Sequence, residues 1–63
     1  METETLYRLP DAMKILGLRR SKIYGLMNSG RLRSVKEGRA RLIPSSAIRE
    51  YVNLLEKEAE EAA

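Results

Sequence analysis

Sixty-three residues with no Cys and no His amount to one small domain, of a size that buries only about 60% of its unfolded surface. Disulfides and the usual zinc site are excluded as braces, and the commonest general base and the best nucleophiles are missing from any catalytic reading. The net charge of +3 is unevenly spread: residues 5–43 carry ten Lys and Arg against Asp11 and Glu37, residues 44–63 carry Arg49 and Lys57 against five glutamates, and Glu2 and Glu4 open the chain, so a body of +8 meets acidic ends.

In chain order, residues 1–5 are polar and read as a loose lead. Residues 6–9 alternate briefly, as a short strand or an extended approach to the first helix. Pro10 suits the first helical position, where its missing N–H costs nothing, and Asp11 favours a helix N-terminus. Ala12, Met13 and Leu16 form a short apolar stripe at helical spacing, and Gly17 reads as a left-handed C-terminal cap. A second helix follows a tight turn at Gly17 and Leu18, with Ile23, Leu26 and Met27 as its stripe, and ends near Asn28, Ser29 and Gly30. From Leu32 to Ile43 the pattern predicts a two-stranded hairpin turning at residues 36–39, with Gly38 at the position needing positive φ. Pro44 stops the second strand, Ser45 offers an N-cap, and Ile48, Tyr51, Val52 and Leu55 line one face of a final helix. After Glu56 the acidic, alanine-rich tail extends this helix or frays. The expected core is Ile23, Leu26, Met27, Leu32, Val35, Ile43, Ile48, Val52 and Leu55.

This reading gives one α+β domain over residues 1–63, a small winged helix-turn-helix with its core at 6–55 and an acidic tail at 56–63. Two short helices meeting at a glycine turn, with Arg19, Arg20 and Lys22 opening the second, have the layout that places a helix in the DNA major groove. A helix N-terminus attracts phosphate. Arg33, Lys36, Arg39 and Arg41 form a second basic group on the hairpin, Arg39 and Arg41 on one face, where a wing can follow the backbone or the minor groove. Ser21 is a cap or a phosphate donor. Tyr24 offers its hydroxyl to phosphate or packs on the hairpin. Asn28 pairs with a base or ends the helix, and Arg31 is a DNA contact or a solvated charge. The expected DNA-binding set is Arg19, Arg20, Ser21, Lys22, Tyr24, Arg33, Lys36, Arg39 and Arg41, with double-stranded DNA as partner. No catalytic residue, metal site or cofactor is expected. No apolar run approaches the roughly 18 residues of a membrane span, and no signal peptide is visible, so a cytoplasmic protein without a membrane partner is expected.

Residues 9–52 resemble the small excisionase family, a winged helix-turn-helix related to the DNA-binding domains of MerR-type regulators. The matching pieces are A-x-x-x-L-G-L at residues 12–18, S-K-I-Y at 21–24, G-R-L at 30–32, G-R-x-R-L-I-P at 38–44, and a final helix with an aromatic residue, Tyr51. The resemblance implies a recombination directionality factor that binds attachment-site DNA, several copies side by side, bends it and steers an integrase toward excision. There are departures. Arg19 stands where the family commonly has a small polar capping residue, so that Ser21 caps later or the second helix starts uncapped. Gly25 stands where a basic residue often follows the tyrosine. The alternatives are a short MerR-like transcription regulator and a protein-interaction module. The module would use the last helix and requires Ile48, Tyr51 and Leu55 to be exposed.

Overall fold

The computed structural model describes residues 4–62; the expected loose lead lies outside them up to residue 3. The order is β1 (Leu6–Arg8), α1 (Leu9–Leu16), α2 (Arg20–Ser29), β2 (Val35–Glu37), β3 (Ala40–Pro44) and α3 (Ser45–Ala62). This is the expected α+β helix-turn-helix, hairpin and terminal helix. The helix α1 begins one residue before Pro10, which therefore takes the second position, where its missing N–H is equally harmless. Gly17 ends α1 at φ 68° and donates its N–H to the Met13 carbonyl at 2.8 Å. A side chain there would strain the backbone, and this is what keeps the turn between α1 and α2 short.

The hairpin is part of a larger sheet. β1 pairs antiparallel with β3, giving a three-stranded sheet in the order β1-β3-β2, so residues 6–8 form a strand. Glu37 pairs with Ala40 around a two-residue loop. Gly38 has φ 60°, and among the described residues only glycines have positive φ, so Arg39 does not, the pattern of a type II′ turn, whose twist matches that of the flanking strands.

The core contains Ala12 of α1, Ile23, Leu26 and Met27 of α2, Leu32, Ile43 of β3, and Ala47, Ile48 and Tyr51 of α3. Tyr7, Leu9, Met13, Leu16 and Leu18 pack against its edge. Three expected core residues are exposed: Val35 at 37%, Val52 at 38% and Leu55 at 41%. The reason is geometric. Buried residues of α3 all fall in its first two turns, after which the helix runs past the body with only Leu54 half-buried. Val35 lies on the edge strand β2, opposite Leu42. Burial of Ile48 and Tyr51 withdraws two of the three residues that the interaction-module reading needs exposed.

The start of α3 is held from the N-terminal end of the chain. The Ser45 N–H donates to the Thr5 carbonyl at 2.7 Å, and the Ser46 N–H donates to the Glu4 carboxylate at 3.1 Å. The Ser46 hydroxyl donates to the same carboxylate. Two of the N–H groups that a helix start leaves unpaired are thus satisfied by residues 4 and 5. Ser45 lies inside α3, and its hydroxyl accepts the Thr5 N–H at 3.1 Å; the expected capping is supplied by Glu4.

Candidate nucleic-acid interface

Helix α2 buries Ile23, Leu26 and Met27. At roughly 100° per residue, Ser21, Tyr24, Gly25 and Asn28 then face outward, and all four are exposed. Arg20 and Lys22, also exposed, stand on opposite flanks of this face, about 160° apart. Arg19 is the N-cap residue, extended at φ −82° and ψ 162°, with no side-chain cap bond; its carbonyl accepts the Ile23 N–H at 3.1 Å. Ser21 is the second residue of the helix, too late to cap it. The first turn contains no acidic residue, so the partial positive charge of the helix start lies among Arg19, Arg20 and Lys22.

The wing contributes Lys36, Arg39 and Arg41, all exposed. Lys36 directly opposes Arg41 across β2 and β3, so these two share a face, which is also that of Ile43 two residues on. Arg39 sits in the turn, where strand alternation no longer ties it to the face of Arg41 as expected. Arg33 lies before β2, not on the hairpin, and is drawn to α3. Its Nη2 donates to the Ser46 hydroxyl at 2.8 Å and to Glu50 Oε2 at 3.2 Å, and its Nε donates to Glu50 Oε1 at 3.5 Å.

Arg31 behaves similarly. Its Nη1 donates to Glu58 Oε2 at 3.1 Å and its Nη2 to Glu58 Oε1 at 2.8 Å, a two-pronged pair. The hydrogen bond to Arg31 holds the Glu58 carboxyl below the usual carboxylate range, and the same bond raises Arg31. Glu4 is likewise lowered, first by the Ser46 hydroxyl and then by the Ser46 N–H, with Arg33 and Arg49 assisting. Sequence reasoning missed these partners because residues 17 and 27 positions apart meet only through the fold. The outward placement of Asn28 was accessible from the helical wheel.

Among the described residues no three His, Cys, Asp or Glu side chains gather as metal ligands, and no helix is long and apolar enough to cross a membrane. The arrangement presents two sets of exposed cations, one around a helix start and one on a wing, each fixed to the same core through Ile23 and Ile43.

Comparison with known proteins places these elements in a wider group. Residues 6–53 match the family model described as a helix-turn-helix domain. The chain is 43% identical over 51 residues to a probable excisionase of Saccharopolyspora erythraea, covering 81% of this chain and 52% of that protein. It is 38% identical over 50 residues to an excisionase of Streptomyces ambofaciens, covering 79% of this chain and 81% of that protein. The chain therefore spans about half the length of the first relative and four-fifths of the second. No solved structure matches it.

Proposed function

Because the chain belongs to the helix-turn-helix domain family, among its small excisionases, we propose that it binds double-stranded attachment-site DNA as a recombination directionality factor. The observation that carries this reading is the outward face of α2, bordered by Arg19, Arg20 and Lys22 at an uncapped, acid-free helix start. In this reading α2 enters the major groove with Arg20 and Lys22 reaching base edges or phosphates. Ser21 and Tyr24 donate hydroxyls to the backbone. Lys36, Arg39 and Arg41 set the wing on the neighbouring phosphates or in the minor groove. Arg33, counted with the wing from sequence alone, acts through α3, whose start it ties down.

The binding unit is residues 6–55, with residues 56–63 as an acidic extension. Its role is recognition, not catalysis, and binding chromosomal DNA would place it at the nucleoid in the bacterial cytoplasm. A module of this size buries about 600–1,000 Å² on DNA, so specificity comes from neighbouring copies on adjacent sites; a bent duplex and an integrase partner belong to this reading through the resemblance to excisionases. Val52 and Leu55, exposed on α3, together with the glutamates beyond them, are available for such contacts.

Footprinting on DNA flanking the attachment site of the parent element tests the proposal. Protection should lengthen abruptly with protein concentration across tandem sites. Protection confined to a promoter, with none at an attachment site, would instead identify a MerR-like regulator.

A further inference from the structure

Gly25 is the one glycine that the fold does not account for. Gly17, Gly30 and Gly38 have φ of 68°, 83° and 60°, a region that disfavours side chains. Gly25 sits in the interior of α2 with no such φ, and a Cβ built on it meets nothing within 4 Å. The fold therefore gains no room from the missing side chain, and the helix loses stability, since glycine is among the poorest helix formers.

Its position is specific. Gly25 lies roughly 150° around the helix from the middle of the buried side, on one outward ridge with Ser21 a turn before it and Asn28 a turn after it, while Tyr24 stands about 100° to one side. A helix with its side chains is about 10–12 Å across, and the major groove is about 12 Å wide and 8.5 Å deep. A helix seated there is confined, and its depth is set by the residue at the middle of its leading face. A missing Cβ lets the axis sink by roughly one bond length, about 1.5 Å.

We propose that Gly25 is the point of closest approach between α2 and the duplex. The helix backbone itself meets the DNA there, and the short side chain of Asn28, one turn on, is thereby brought within reach of the bases. The inference rests on the DNA-binding reading above and adds the depth at which α2 is seated.

The test uses the full chain and a duplex enriched by the wild-type protein from a randomised pool, with an unselected duplex as control. Binding is read by fluorescence anisotropy and stability by thermal unfolding. Gly25→Ala should raise Tm by about 3–6 °C and yet weaken binding to the selected duplex about tenfold, the size of one mismatched base pair, with little change on the control. Gly25→Arg should also weaken binding to the selected duplex, although it adds a cation. Wild-type affinity in Gly25→Ala, tighter binding in Gly25→Arg, or a Tm that fails to rise in Gly25→Ala would each overturn the proposal while leaving DNA binding in place. A wild-type chain that enriches no duplex would overturn the DNA-binding reading and this one with it.

Discussion

Arg33→Ala and Arg39→Ala remove the same charge and should have different consequences. Arg33 spends its guanidinium on Glu50 and Ser46, in a pair whose side chains are 49% and 63% exposed. So exposed a pair is heavily screened, and its loss should cost less than about 1 kcal/mol of stability. Because α3 already neutralises Arg33, its removal should leave the salt dependence of DNA binding unchanged. Arg39, in the wing turn, should release a phosphate when deleted. Each neutralised phosphate contributes about 0.9 to the slope of log K against log salt. Arg19, Arg20, Lys22, Lys36, Arg39 and Arg41, if all six meet phosphates, give a wild-type slope of about −5.4. Arg39→Ala should then fall to about −4.5, losing affinity on all sequences alike, and Arg33→Ala should remain at the wild-type value. The assay is anisotropy of a labelled duplex titrated between roughly 50 and 200 mM salt. An Arg33→Ala slope reduced as much as that of Arg39→Ala would show that Glu50 yields Arg33 to the DNA, and the assignment of Arg33 to α3 would fail.

Other outcomes follow from the same geometry. Ile23 is fully buried, so Ile23→Val should cost about 0.5–1.5 kcal/mol in urea unfolding, while Val52→Ala at an exposed position should stay within about 0.5 kcal/mol. Glu4 and Glu58 are held below their ordinary value of 4.5. Their contribution to stability is therefore complete above that pH and lost as pH falls through the lower folded values. The urea midpoint of Glu58→Gln should fall less steeply than wild type below about pH 4.5; parallel curves would show that the Arg31 pair does not persist in solution. Sedimentation without DNA should give a monomer near the chain mass of 7.2 kDa, because Val52 and Leu55 expose too little apolar surface for a stable dimer. A stable dimer would move self-association ahead of DNA binding.

Local chemistry explains what the sequence made legible. Glycine after an apolar stripe marked both helix ends, Gly38 marked the turn, and helical spacing picked out Ile23, Leu26 and Met27. Features set by distant parts of the chain stayed hidden. Nothing in residues 6–8 announces β3 as a partner, and alternation over three residues is too short to distinguish a strand from a lead-in. The α3 stripe continues through Val52 and Leu55, but periodicity cannot say where the body beneath the helix ends. Ala47 is buried in the core, yet an alanine beside the α3 stripe carries no signal of its own. Arg33 reads as a wing cation and Arg31 as a DNA contact or a solvated charge until the fold brings Glu50 and Glu58 to them.

Backbone amide shifts on titration with a selected duplex test the central claim most directly, since every residue except the prolines reports. On a duplex carrying a single site, the largest changes should fall at residues 19–25 and 36–41, where α2 and the wing meet the DNA, with small changes at residues 52–62. Shifts concentrated along the second half of α3, with residues 19–25 undisturbed, would contradict it.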